Sequence, residues 1–357
     1  VDKDGTPGPD DKGGVFRFEV DIDTSSATTA IDSANLSKVS GAAGFSLPAG
    51  SYTDLALDPG DADNPWRLYA ASPESGVGVY RLDEGATNWA AVKTDLSGQA
   101  TNVKLAASQT TGTGAAKVDG RLYIAVVGRP NPDPDGGGTA LIELFKSTSL
   151  GTGAVSMTLP TSQDGSPTQT RGLHPGGQGD KNTSLAIDPT NPDIIYLGGD
   201  RQPDLTNNAV DLDDWAGRIF RFDPSSSNWV QIVGDNASDS APHADSRAMI
   251  FAGNDVLLEA NDGGIYKLSD PRDQIFLTST EWSSIVGDLR VAEVYDVGFD
   301  PLNDLVWGGT QDNGSSRQDA EAHDGLDNNS NSQTDELVER TNGWVQVHGG
   351  DGAAQAA

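Results

Sequence analysis

Oxygen-bearing side chains alternate along one acidic stretch, Asp324-Gly-Leu-Asp327-Asn-Asn329-Ser-Asn331-Ser-Gln333-Thr-Asp335-Glu336. Hard divalent cations are wrapped by oxygen ligands at alternate positions of a short loop. Asp327, Asn329 and Asn331 would supply side-chain oxygens, Gln333 its backbone carbonyl, and Asp335 or Glu336 a closing carboxylate. The expected ion is Ca2+. Ser332 stands where glycine would ease the bend, and Val338 occupies the twelfth position. The same residues read equally well as a solvated acidic loop.

A second set of polar residues occurs once each. Pro242-His243-Ala-Asp245-Ser-Arg247, Gln311-Asp312-Asn-Gly314 and His348-Gly-Gly-Asp351-Gly352 each lie at a strand end. Glycoside hydrolysis needs two carboxyl groups facing across the scissile bond, roughly 5–5.5 Å apart for retention and 6.5–9.5 Å for inversion. Asp312 and Asp351 are the candidate catalytic pair, and His243, Asp245, Arg247 and Gln311 the candidate substrate-binding residues. With 53 acidic residues in the chain, some pair will always meet such a distance, so abundance carries no weight. Whether these residues converge cannot be read from spacing, and each also serves as an ordinary turn residue.

The elements that would position them repeat. A short strand ends in Asp-Pro, a second strand follows, and a third ends in an Asp that precedes a Trp. The first copy runs Asp54-Leu-Ala-Leu-Asp58-Pro59, Trp66-Arg-Leu-Tyr-Ala70, Val79-Tyr-Arg-Leu-Asp83 and Trp89-Ala-Ala-Val92. The second runs Ser184-Leu-Ala-Ile-Asp188-Pro189, Ile194-Ile-Tyr-Leu-Gly198, Ile219-Phe-Arg-Phe-Asp223 and Trp229-Val-Gln-Ile232. A third holds Asp296-Val-Gly-Phe-Asp300-Pro301, Leu305-Val-Trp-Gly308 and Trp344-Val-Gln-Val347. Less regular copies fill the gaps at Asn102–Lys146 and Ser246–Trp282, making five units.

Radially repeated four-stranded units make an all-β fold, the β-propeller. A ring must close to remove its edge strands. Five units leave three ways to do so: the chain is part of a longer propeller, divergent copies hide strands, or a second chain completes the ring. The expected domain is 1–352, with a tail at 353–357 and insertions at 21–48, 148–181 and 315–341. Ile31 and Leu36 in the first insertion suit a short helix.

The recurring residues read as scaffold. A large indole at an equivalent place in several units (Trp89, Trp229, Trp282, Trp344) suits packing at the seam between twisted sheets better than a sugar platform. Asp83 and Asp223 are expected to accept backbone amides across a turn, and Asp58, Asp188 and Asp300 to close strand ends.

Composition narrows the partners. Lys and Arg number 23 against 53 acidic residues, a formal net charge of -30, which repels nucleic acid phosphates and anionic membranes. That acidity serves solubility, or reflects carboxylates gathered around calcium. The chain has no cysteine, which excludes disulfides and thiol chemistry, and no apolar run long enough to cross a bilayer. Its 43 glycines and 19 prolines suit many short strands joined by polar turns. The opening at Val1 suggests a processed or partial product.

Pro242-His-Ala-Asp-Ser-Arg247, Asn261-Asp-Gly-Gly-Ile-Tyr266, Val294-Tyr-Asp-Val-Gly-Phe299, Gly309-Thr-Gln-Asp-Asn-Gly314 and Trp344-Val-Gln-Val-His-Gly-Gly-Asp-Gly352 together carry a resemblance. Over 182–352 the chain resembles the bacterial propellers related to xyloglucan-cleaving glycoside hydrolases, sialidase-type BNR repeats and the sortilin luminal domain. The resemblance implies a seven-bladed scaffold and an extracellular or cell-surface location. Asp83-Glu-Gly-Ala-Thr-Asn-Trp89 is a stretched version of the family's Asp-box.

The function expected from these readings is an exported, non-catalytic surface, adhesion or assembly module. It would bind a glycan or another protein chain, its own copies included, and be stabilised by calcium. The alternative is a glycoside hydrolase using a carboxylate pair.

Overall fold

The computed structural model describes residues 15–18, 36–110, 117–130, 138–147, 153–164, 170–203, 208–213, 215–225, 228–272, 280–287, 294–303, 305–310, 314–318 and 344–348. The chain divides into two compact units, Val1–Asn261 with Ile265–Ile285, and Asp262–Gly264 with Val286–Ala357.

The first unit opens with a two-stranded pair, β1 (Phe16–Phe18) and β2 (Leu36–Lys38). The first four-stranded sheet follows: β3 (Asp54–Asp58), β4 (Arg67–Ser72), β5 (Gly78–Asp83) and β6 (Ala90–Lys93). The second holds β7 (Ala100–Ala107), β8 (Leu122–Gly128), β9 (Ala140–Ser147) and β10 (Ala154–Ser156). A small hairpin, β11 (Ser162–Gln163) with β12 (Thr170–Arg171), precedes the third sheet. That sheet contains β13 (Ser184–Ile187), β14 (Ile195–Arg201), β15 (Gly217–Asp223) and β16 (Asn228–Gln231). The fourth contains β17 (Ala248–Ala252), β18 (Val256–Asn261), β19 (Gly264–Ser269) and β20 (Glu281–Ser284). In the second unit, β21 (Val294–Asp300), β22 (Leu305–Thr310), β23 (Gly314–Gln318) and β24 (Trp344–His348) form a fifth sheet. In each of the five, neighbours in sequence are neighbours in the sheet.

The protein is thus all-β and built from repeated four-stranded antiparallel sheets, as propeller-like architecture requires. In the first unit the first strands of consecutive sheets stand side by side, β3 by β7, β7 by β13 and β13 by β17. Side chains join them. Thr53 Oγ1 donates to the Val103 carbonyl and accepts its N–H, both at 3.1 Å. Asp54 Oδ2 accepts the Leu105 N–H at 2.7 Å while burial pushes the carboxyl pKa upward.

Apolar clusters fill the seams. Tyr69, Val79 and Val92 of the first sheet meet Val103, Leu122, Ile124 and Phe145 of the second. On the opposite face of the second sheet, Tyr123, Ala125, Leu141 and Leu144 meet Ile195, Leu197 and Phe220 of the third. The third and fourth sheets share Tyr196, Ile219 and Ile232 with Met249, Leu257 and Trp282. A sheet covered on both faces needs apolar residues at every position, not every second one. Strand β8, Leu-Tyr-Ile-Ala-Val-Val-Gly, is accordingly buried along its whole length.

Several stretches read as loops carry strands. Leu36 lies in β2, not on a helix. Ala154–Ser156 forms the fourth strand of the second sheet, and Gly314–Gln318 the third strand of the fifth.

The recurring tryptophans hold equivalent places. Trp89 precedes β6, and Trp229 and Trp282 sit in β16 and β20, each of these the fourth strand of its sheet. Trp229 tilts against Phe222 and donates Nε1–H to the Thr158 carbonyl at 2.9 Å. Trp282 is buried in the seam and donates to the Ile232 carbonyl at 2.7 Å. These rings pack sheets together.

Candidate functional site

The recurring acids are consumed by the scaffold. Asp58 is fully buried; its Oδ1 accepts the Gly60 and Thr110 amides at 3.0 and 3.1 Å, and Oδ2 faces Arg67 Nη1 at 3.2 Å. Asp188, also fully buried, accepts the Thr190 and Asn191 amides at 2.8 and 3.1 Å. Asp300 in the second unit accepts the Asn303 side-chain amide at 2.6 Å, which does most to lower its pKa, together with the backbone amides of Leu302 and Asn303. Asp223 accepts the Ser225 amide at 2.9 Å and meets Arg221 at 2.8 Å. Asp83 differs in partner: Arg81 Nε and Nη2 both reach its carboxylate at 2.9 Å.

The non-recurring segment 242–247 crosses the ends of β14 and β15 on its way into β17. The Pro242 carbonyl accepts the Gly217 N–H, and the Ala244, Asp245 and Ser246 amides donate to the carbonyls of Trp215, Asp200 and Gly199 at 2.7–2.9 Å. Asp245 has φ 71°, a left-handed conformation uncommon outside glycine. Its carboxylate accepts a hydrogen bond from Asn182 Nδ2. Asp200, fully buried beneath, accepts its neighbour Arg201's amide at 2.7 Å and the Gln178 amide at 3.1 Å. Ser184 Oγ and Ser246 Oγ lie 2.6 Å apart across the β13–β17 seam. A Cβ on Gly198 would fall 2.3 Å from the Ser246 hydroxyl, so that position admits no side chain.

His243 and Asp245 are half-buried and Arg247 is exposed. His243 Nδ1 lies 3.2 Å from the Ala244 carbonyl oxygen. The structure therefore brings Asp245 together with Asn182 and Asp200, partners the sequence did not single out. Gln311, Asp312 and Asp351, and the calcium candidates Asp327, Asn329, Asn331, Gln333, Asp335 and Glu336, lie outside the described residues. Among the described residues, no group of three or more His, Asp or Glu side chains is placed to hold a metal ion.

Behind this rim lies His174, buried in the turn that precedes β13. Its Nδ1 accepts the Leu141 N–H at 3.0 Å, which leaves the proton on Nε2, 3.0 Å from the Asn182 carbonyl oxygen. Burial lowers its pKa, against the nearby Asp200 carboxylate that raises it. This histidine was unremarkable in sequence because both partners are distant along the chain or in a turn.

The first strands of the four sheets in the first unit also line an open cavity of about 570 Å3, with Leu55, Leu57, Leu105, Ile187, Ile250 and Phe251 on its wall. Leu55, Leu57 and Ile250 are 51%, 53% and 67% exposed there. In the second unit, the corresponding strand β21 exposes Tyr295, Val297 and Phe299 at alternate positions.

No protein-family model matches the chain. No curated protein matches it either. Among solved structures, the extracellular domain of a hybrid two-component system from B. thetaiotaomicron is 14% identical, with a TM-score of 0.32 over 75% of this chain and 33% of that one. The Cps50 β-propeller domain of Myceliophteria thermophila is 12% identical, with a TM-score of 0.35 over 76% and 70%. A Dyadobacter fermentans protein of unknown function is 12% identical, with a TM-score of 0.37 over 80% and 77%. The chain thus spans about a third of the first of these structures. At such scores the reading of the fold rests on this chain's own strand order.

Proposed function

We propose that the chain is a non-catalytic propeller module of the bacterial cell surface, one that holds a glycan or a second protein chain. The observation that carries this reading is the division of labour among its polar residues. Asp58, Asp188 and Asp223, the acids that recur, are held by turn amides and arginines, and so maintain the scaffold. Residues that do not recur from sheet to sheet, His243, Asp245 and Arg247, gather on one crossing segment at the sheet ends. Inner strands with half-exposed leucine and isoleucine side chains supply contact area alongside polar groups that fix orientation. The sheets complete a ring in this proposal, seven-bladed by the sequence resemblance, and calcium orders the acidic loop carrying Asp327, Asn329, Asn331, Gln333, Asp335 and Glu336. The surface location rests on the same motif resemblance, and the net charge of -30 keeps such a module soluble and clear of phosphate polymers.

A glycan array and a polysaccharide hydrolysis screen, each run with calcium and with chelator, test the proposal. Saturable binding or calcium-dependent self-association without turnover is expected. Turnover that disappears in Asp312→Asn or Asp351→Asn would replace it with a glycosidase.

A further inference from the structure

The three marker tryptophans with described side chains differ in one respect. Trp229 and Trp282 donate their indole N–H groups to backbone carbonyls of preceding segments, those of Thr158 and Ile232. Trp89 is buried like Trp282, yet its Nε1–H has no acceptor among the described residues. A buried donor left unsatisfied costs free energy, so such positions call for an explanation.

The difference coincides with a cavity. Beside Trp89 the first sheet leaves a pocket of about 590 Å3, whose wall includes Phe45, Trp66, Leu68, Leu82, Ala86 and Trp89. Val15, Val39, Gly85 and Thr87 also line it, and none of these described lining residues is charged. Backbone hydrogen bonds fix its walls. The Trp89 N–H donates to the Phe45 carbonyl at 2.8 Å, and the Glu84 N–H to the Trp66 carbonyl at 3.1 Å. Glu84 Oε2 in turn accepts the Trp66 N–H at 3.2 Å. A concave, aromatic-walled space of several hundred Å3 with few polar groups is the usual form of a small-molecule site.

We propose that this pocket binds a neutral, ring-bearing small molecule, clasped between the Trp66, Trp89 and Phe45 side chains. Two features set the chemistry. Three aromatic walls favour stacked or edge-on ring contacts. The absence of any cation among the described lining residues, on a chain of net charge -30, works against an anionic ligand. The site is separate from the crossing segment at 242–247 and does not depend on the surface role proposed above.

Coumarin, a neutral bicycle, is the probe, titrated against the whole chain by ligand-detected NMR, with coumarin-3-carboxylate as its anionic counterpart. Saturable coumarin binding is expected, with the carboxylate at least about tenfold weaker. Trp66→Ala should weaken coumarin about tenfold. Ala86→Trp places bulk at an exposed position of the rim, where the fold tolerates it, and should abolish binding. Ile250→Ser, in the other cavity, should leave binding unchanged. The proposal is overturned by absence of saturable binding, by undiminished binding to Ala86→Trp, or by equal affinity for the anionic probe.

Discussion

Asp188 and Arg272 are joined by two hydrogen bonds, Nε to Oδ2 at 2.6 Å and Nη2 to Oδ1 at 3.0 Å. The pair ties the Asp-Pro turn after β13 to the turn after β19, and so fastens the third sheet to the fourth. Bidentate geometry of this kind is among the stronger side-chain contacts. Asp188→Ala also orphans the Thr190 and Asn191 amides, and should lower stability by about 2–4 kcal/mol. Urea unfolding followed by tryptophan fluorescence reads the loss.

Arg218 and Asp164 form a second pair, 2.8 Å apart with both side chains fully buried. Burial pulls the guanidinium pKa down and the Asp164 carboxylate opposes that pull. Further bonds to the Gly172 carbonyl, Gln202 Oε1 and Ser162 Oγ engage all three guanidinium nitrogens and hold the β11–β12 hairpin against β15. Asp164→Ala strands a buried charge and should cost about 3–5 kcal/mol, whereas the double change Arg218→Met, Asp164→Leu should recover much of it. Thermal unfolding of the single and double variants checks both statements.

His174 gives the fold a pH dependence with a defined sign. Its folded pKa lies below the ordinary 6.5, so the unfolded chain takes up the proton first as pH falls. The stability it contributes is complete above about pH 6.5 and drains away below it, by at most about 1.4 kcal/mol per pH unit. The difference between wild type and His174→Gln in unfolding free energy should therefore shrink between pH 7 and pH 5. A constant difference across that range would contradict the assignment.

Asp245 stores backbone strain at its φ of 71°. Asp245→Gly removes that strain together with the carboxylate's bond to Asn182, so the two changes oppose each other and net stability should move by less than about 1 kcal/mol. Ligand binding at the crossing segment should still fall. A variant that unfolds outright would return Asp245 to the scaffold.

Much of the architecture was legible because both faces of each interior sheet need apolar residues. The run Leu122–Gly128 and the recurring Asp-Pro and Trp positions mark their strands directly. The short strand Ala154–Ser156 was not legible: its residues are largely exposed and it is held by pairing to β9 alone. Gly314–Gln318 reads Gly-Ser-Ser-Arg-Gln and has no apolar alternation, so its place between β22 and β24 comes only from register. At the rim, the segment 242–247 was visible in sequence as a non-repeating polar run. Its partners Asn182 and Asp200 were not, since they meet Asp245 only through the approach of two sheets.

The division between acids that hold the scaffold and polar residues left for recognition is tested most directly by urea unfolding of Asp58→Asn, Asp188→Asn and Arg247→Ala side by side. The two aspartate variants should each lose about 2 kcal/mol or more, and the exposed arginine should stay within about 0.5 kcal/mol of wild type. Aspartate variants as stable as the parent, with Arg247→Ala strongly destabilised, would contradict the account.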